Sequence, residues 1–398
     1  MPSLDGVPVV KMTLIVVAVL LIFQRNKRFD GPQTYLLLGY VTVIFLSGVF
    51  NGWVGGGVTA AKNMLATAVL PFFVVANAVN SRKKQIVALT LLVVAALIMV
   101  SNGISQAAAP DGIGWAGVQA QGGGRAAYVG IFNDPNDLGM FLVMTLPVAF
   151  FLFAQTKNAF RVVFAVAAVA LVYGVYLTNS RGALLGLGAL AAFWFILRFG
   201  ATRTTAIGLA MLPVAFFAIS KFRAIDPTEQ SAYGRIDAWY QGIQMLIGNP
   251  ILGVGQDNFL DYHYLTAHNS FVLVFAELGM LGYFFWFAFV FFCVLGILVL
   301  WNKKIAEEFT ERIGEFDKSL GKCLTFSMLG FLVTGFFLSR AYSPLLYIYC
   351  GLATATFYQA IPADQVRQFF GMANYGRSFI ALYFGSIVTV FVAMKVLI

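Results

Sequence analysis

The chain has 398 residues, 60% of them hydrophobic and 11% charged, with a mean hydropathy of +0.82. Soluble domains carry about 25% charged residues, so this one has too few polar side chains to cover a water-facing surface. A soluble enzyme, a disordered chain, a disulfide scaffold and a conventional nucleic-acid binder are excluded. A polytopic membrane protein remains, and its net charge of +9 is read first as topology.

Cys293, Cys323 and Cys350 all lie in apolar runs, spaced for neither a disulfide framework nor a metal, and are expected as small apolar filler. The first residues lack a basic segment followed by a small-residue cleavage site, so no signal peptide is expected. Apolar windows of about 20 residues predict twelve spans. They fall at 8–23, 35–53, 58–79, 86–102, 137–155, 161–177, 183–199, 205–219, 270–300, 323–339, 342–360 and 378–397. The expected architecture is one all-α transmembrane domain over 1–398, with long loops at 103–136 and 220–268 and a charged connection at 301–322.

Basic residues gather in alternate connections, at 25–28, 82–84, 157–161, 198–203, 303–322 and 367–377, which hold 17 of the 26 lysines and arginines. The positive-inside rule makes that side cytoplasmic. Both long loops, and both termini, then face outward.

The outward side carries the charges that this bias leaves unexplained. Arg125 precedes the fifth predicted span, and Asn133-Asp134-Pro135-Asn136-Asp137 opens it. Asp134 or Asn136 can cap that helix; the functional alternative is that these groups bind sugar hydroxyls or orient an arginine. Arg181 sits in the tight turn Thr178-Asn179-Ser180-Arg181-Gly182, and Arg340 in a similar turn, Ser339 to Pro344. Isolated arginines at membrane depth are costly unless they pair or face water. Several on one face suit a phosphate or pyrophosphate, which guanidinium binds bidentately. The competing reading is that each snorkels to the interface.

In the second loop, Gly234–Pro250 reads as an amphipathic helix lying in the outer interface. Ile236, Tyr240, Ile243 and Ile247 form its apolar stripe, widened by Trp239 and Leu246, with Arg235, Asp237, Gln241 and Gln244 on the rest. Gly253 and Gly255 permit a tight turn after Pro250. Asp257 and Asp261 are taken to face solvent. His263 and His268, both histidines of the chain, end the loop. A helix over 270–300 would run about 46 Å against a hydrocarbon core of about 30 Å. Glu277-Leu278-Gly279-Met280-Leu281-Gly282 is therefore expected to break it into a short entering helix and a full span. His268 would stand at the start of the entering helix as a candidate base, with Glu277 a structural partner for a neighbouring span.

These residues carry a resemblance. Gly234-Arg235, Trp239, Asn249-Pro250-Ile251-Leu252-Gly253-Val254-Gly255, His268-Asn269-Ser270 and Glu277-Leu278-Gly279-Met280-Leu281-Gly282, in that order, resemble the O-antigen ligase and polysaccharide polymerase superfamily. Asn179-Ser180-Arg181-Gly182-Ala183 looks like that family's earlier arginine motif, and Asn133–Asp137 looks like a subgroup associated with exopolysaccharide clusters. The similarity spans about residues 130–300; the flanking spans match in hydropathy alone.

The resemblance implies an inner-membrane glycosyltransferase of the GT-C type, acting on the periplasmic face without metal, nucleotide or other cofactor. Its donor would be a glycan on undecaprenyl pyrophosphate, and its acceptor a glycan or lipid A-core. The family's roles fall on Arg181 and Arg235, which would hold the pyrophosphate, and on His268. Arg340, Arg125, Asn269, Asp134, Asn136 and Trp239 are the candidate substrate-binding residues. The chemistry agrees, because outward arginines stabilise a departing pyrophosphate and a base at the acceptor hydroxyl completes an inverting displacement. The alternative from another class is a transporter or flippase for lipid-linked sugars. It predicts internal repeats and a midplane charge, whereas no repeat is evident and the polar signals cluster on one face.

Overall fold

The computed structural model describes residues 27–205, 230–302, 313–370 and 372–397, with isolated positions 19, 23 and 208. The predicted spans at 8–23 and 205–219 lie almost wholly outside the described residues. The helices are α1 (Pro32–Phe50), α2 (Val54–Ala78), α3 (Arg82–Ala108), α4 (Pro135–Gln155), α5 (Phe160–Thr178), α6 (Arg181–Phe199) and α7 (Gln230–Gly248). They continue with α8 (Phe259–Tyr262), α9 (Ser270–Trp301), α10 (Glu315–Gly335), α11 (Pro344–Ala360), α12 (Ala363–Phe369) and α13 (Met372–Leu397). Among the described residues eight helices are long and apolar enough to cross a membrane, and β pairing is limited to two isolated bridges in the first loop. The chain is an all-α polytopic membrane protein.

Two helices organise the bundle. The apolar window of α4 is 83% buried, because α3, α5, α6 and α10 all pack on it. α9 does the same for the other half, against α1, α7, α10, α11 and α13. The remaining candidate spans keep apolar faces exposed, as lipid contact requires.

Helix boundaries differ from expectation at Glu315 and Met372, which begin helices earlier than the spans at 323–339 and 378–397, and at the first loop. The first loop starts only after Ala108, because Asn102 and Gln106 continue α3 instead of ending it. Both are buried and use their amides to hold the loop. Asn102 Nδ2 donates to Ala127 O (3.1 Å) and its Oδ1 accepts from Ala116 N (2.9 Å); Gln106 Nε2 donates to Val118 O (2.8 Å) and its Oε1 accepts from Ala127 N (3.0 Å).

The expected break in α9 falls at Gly279, whose φ of 64° and ψ of −169° no helix contains. The interruption removes two intrahelical bonds, leaving Ala276 O, Glu277 O, Met280 N and Leu281 N to find other partners. The loop after α7 supplies all four. Val254 N donates to Ala276 O (3.1 Å) and Gly255 N to Glu277 O (2.8 Å), while Met280 N donates to Pro250 O (2.8 Å) and Leu281 N to Ile251 O (3.2 Å). From α1, Ser47 Oγ donates to Leu252 O (2.6 Å) and Asn51 Nδ2 to Gly253 O (3.0 Å), closing the clasp from behind.

Two glycines make this approach possible. A Cβ on Gly279 would stand 2.4 Å from the Ile251 carbonyl carbon, and one on Gly253 would stand 2.3 Å from that of Glu277. Gly279→Ala is therefore expected to destabilise the protein by about 3 kcal/mol or more, since its backbone region is essentially closed to side chains. Gly188→Ala, on an open face of α6, should be nearly neutral. Thermal unfolding of both variants in detergent checks this; an unchanged midpoint for Gly279→Ala would contradict the clasp.

Candidate functional site

The candidate residues collect at one end of the bundle, around the start of α4, the α5–α6 turn, α7 and the residues leading into α9. The α5–α6 turn follows from its residue types. Asn179 ends α5 in the left-handed conformation (φ 46°) that asparagine tolerates, and Ser180 caps α6, its Oγ accepting from Ala183 N (3.3 Å). Gly139 lets α4 press against this turn, since a Cβ there would stand 2.7 Å from Ala183 Cβ.

Asn136 joins the pieces. Its Oδ1 accepts from Ser180 Oγ (2.9 Å) and from Arg125 Nη2 (2.9 Å), and its Nδ2 donates to Asp134 Oδ1 (2.9 Å). Arg125 Nε also donates to Thr178 O (3.1 Å), placing a cation on the C-terminal carbonyls of α5. Asp134 caps α4 as expected, its Oδ1 accepting from Asn136 N (2.8 Å). Capping and arginine orientation are thus one network. Arg181 is exposed on the first turn of α6, next to Ser180.

His268 is brought in from the other half. It is half-buried, held at φ 45°, and followed by Asn269, whose Oδ1 caps α9 by accepting from Phe271 N (2.9 Å) and Val272 N (3.2 Å). The turn after α10 is stitched to the same stretch. Thr266 Oγ1 donates to Ser339 Oγ, Ser270 Oγ donates to Leu338 O (2.6 Å), and Arg340 N donates to Ser270 Oγ (3.0 Å).

The result is a small electrostatic constellation. Burial lowers the His268 pKa below the ordinary imidazole value; Arg235 lowers it further, Asp134 pulls the other way, and Arg340 lowers it again. All three charged groups therefore lie within electrostatic reach of the ring. Among the described residues nothing hydrogen-bonds the His268 ring, so in its neutral form it keeps a nitrogen lone pair for a ligand. Arg340 itself makes a two-pronged ion pair with Asp137, through Nε and Nη2. That pair joins residues 203 apart in sequence.

α7 departs from the sequence pattern in which face it buries. Ala238, Trp239, Gly242 and Met245 are buried, whereas Tyr240 and Ile247, from the predicted apolar stripe, are exposed. The cause is close approach to α9: a Cβ on Gly242 would stand 2.4 Å from Val272 Cγ1. With one face on protein and a second apolar face outward, α7 fits a helix between bundle and lipid. Trp239 meets Phe336 edge-on, with centroids 5.4 Å apart, so its ring belongs to the core. His263 ties the middle of α7 to the loop that follows the helix. Its Nδ1 lies within hydrogen-bond distance of both Leu265 O (2.9 Å) and Leu265 N (3.0 Å), and its Nε2 of Asp237 Oδ2 (3.1 Å), two residues from Arg235.

Sequence reasoning passed over several side chains that the fold places here. A cavity of about 450 Å³ opens beside Arg340, and its walls include Asp257 and Glu277. Asp257 is exposed, as the sequence suggests, and also lines this space. Glu277 does serve a neighbouring element, accepting from Tyr342 Oη (2.8 Å), but it also faces the cavity. A carboxylate inside an otherwise apolar helix was the available signal. Among the described residues no three His, Cys, Asp or Glu side chains converge to hold a metal.

Residues 166–287 match the family described as O-antigen ligase, and this stretch supports placement in the O-antigen ligase superfamily. It contains Arg181, Arg235, His268 and both strands of the backbone clasp. A search of curated proteins found no match.

Asp137 is 2% exposed, so removing its partner strands a charge in the protein. Arg340→Ala is expected to cost about 3 kcal/mol, the low end for a broken buried pair, because Arg340 is itself 36% exposed. Adding Asp137→Asn should restore more than half of the loss. A double-mutant cycle on thermal stability measures this, and additive losses would show that the two side chains do not act as a pair.

Proposed function

We propose that the protein transfers glycans from an undecaprenyl-pyrophosphate-linked donor to a sugar hydroxyl on the periplasmic face of the bacterial inner membrane. The observation that carries this reading is the half-buried His268, biased toward its neutral form by burial and by Arg235. A neutral imidazole beside fixed cations is what this displacement asks for. The acceptor hydroxyl loses its proton to His268, and its oxygen bonds to the donor's anomeric carbon. The bond from that carbon to the pyrophosphate oxygen breaks, and the pyrophosphate leaves with the electron pair. Attack opposite the breaking bond inverts the anomeric centre, and with Arg235 and Arg181 holding the departing charge the step needs no metal.

Arg340, paired with Asp137, contributes position and part of its charge rather than a free guanidinium. Asn136, Asp134 and Arg125 hold the α5–α6 turn, and with it Arg181, in register with α4. Asn269 supports the site by capping α9, and Trp239 by anchoring α7. The reading extends to polymerisation of an exopolysaccharide or O-antigen in preference to ligation onto lipid A-core, on the likeness of Asn133–Asp137 to the exopolysaccharide subgroup. Gathering of the candidate charges at one end supports an enzyme over a transporter or flippase.

Purified protein in nanodiscs, given lipid-linked donor and acceptor alone, is expected to form new glycosidic product. His268→Ala, Arg235→Ala and Arg181→Ala should each lose at least about 100-fold in rate, with donor binding lost in the arginine variants and kept in His268→Ala. No turnover by folded, donor-bound protein would overturn the enzymatic reading. The base acts when deprotonated, so the rate should be flat above the His268 pKa and fall as pH drops through it. Because that pKa is lowered, the fall should begin on the acid side of ordinary imidazole titration. A rate that rises toward acid pH would remove His268 from this role.

A further inference from the structure

The cavity beside Arg340 has a lining that the displacement chemistry does not use. Glu277 is buried on its wall, its Oε1 accepting from Phe259 N (3.3 Å) and its Oε2 from Tyr342 Oη (2.8 Å). The backbone N–H of Asp257 donates to the same carboxyl, which leaves it room for about one further donor. Asp257 lines the same space, with the hydroxyls of Thr266, Ser339 and Tyr342 around it and the apolar side chains of Phe259 and Leu260 as floor. Neither Asp257 nor Glu277 is in an ion pair among the described residues, while the charge of Arg340 is matched by Asp137. Leu273 and Glu277 are spaced by four along the entering part of α9 and share the face that lines this space.

Carboxylates and hydroxyls opposite flat apolar walls match a pyranose ring, which has a hydroxyl edge and C–H faces. The volume lies within the usual range for a small-ligand site, about 300–1,000 Å³. Asp257, which no cation pairs among the described residues, disfavours a second anion. We infer that this cavity seats the uncharged sugar at the accepting end of the glycan, with Glu277 and Asp257 taking its hydroxyl hydrogens, and that it rejects acidic sugars. The assignment rests on the glycan-transfer reading above. Thr266 and Arg340 on its rim set it next to His268, where the accepting hydroxyl gives up its proton.

The test uses full-length protein in nanodiscs and saturation-transfer NMR with glucose, galactose, N-acetylglucosamine and glucuronic acid at equal concentration. At least one neutral sugar should be saturated and glucuronic acid should not. Asp257→Asn is conformationally mild, because asparagine tolerates the residue's φ of 67°. It should weaken the neutral sugar about five-fold through loss of a charge-assisted hydrogen bond and raise the glucuronic acid signal. Glu277→Gln should also weaken the neutral sugar, so the result does not depend on one variant folding. Binding of undecaprenyl pyrophosphate, followed in parallel, should survive Asp257→Asn and be lost in Arg235→Ala. A neutral sugar bound without any affinity for undecaprenyl pyrophosphate would remove the donor reading and keep the cavity. Binding of undecaprenyl pyrophosphate with no sugar saturated, equal binding of glucuronic acid, or sugar binding indifferent to Asp257→Asn would overturn the cavity assignment.

Discussion

Everything at the functional end depends on how four backbone groups are satisfied where α9 breaks. Within a membrane-spanning protein, an unpaired peptide group costs several kcal/mol and has no solvent to turn to. Gly279 opens the helix, and Pro250–Gly255 closes the account with a donor or acceptor for each freed group. The same contact fixes where α7 ends and where α9 begins. It therefore sets the distance between Arg235, which rides on α7, and His268, which leads into α9.

Much of this was legible one element at a time. The excess length of the 270–300 run, with glycines at 279 and 282, located the break, and the spacing in 234–250 located the surface helix. What could not be read was the pairing. Asn249–Gly255 and Glu277–Gly282 look like separate motifs in the chain, yet they are the two sides of one contact, because backbone hydrogen bonds carry no side-chain signature. The buried face of α7 was missed for a related reason. A hydrophobic stripe marks Ile236, Tyr240 and Ile247, but close packing favours the small Ala238 and Gly242. Trp239 and Met245 are buried beside these small residues, so fit to the neighbouring helices rather than hydropathy sets the inner face of α7.

The charges divide in a way that hydropathy also hides. Asp137 and Arg340 belong to different helical hairpins, and nothing in either local sequence names the other. Once paired, they hold the turn after α10 against α4 and still leave part of the Arg340 charge acting on His268. At the opposite end Arg28 is used structurally, its Nη1 donating to Tyr358 O (2.6 Å) and Ile361 O (2.7 Å), so the topology signal there doubles as a C-terminal cap for α11. A basic residue in such a chain can serve orientation, packing or chemistry, and only its partners separate these.

The clasp has a consequence for how such a chain can diverge. Its bonds run between main-chain atoms, and Ile251, which supplies a carbonyl to the clasp, leaves its side chain exposed. Replacing that side chain, or others whose peptide groups alone are used, leaves the contact intact. The positions that resist replacement are those where an added carbon would collide, Gly253 and Gly279, together with Ser47 and Asn51 behind them. The rest of the lining is then free to drift while the frame that sets His268 against Arg235 stays put.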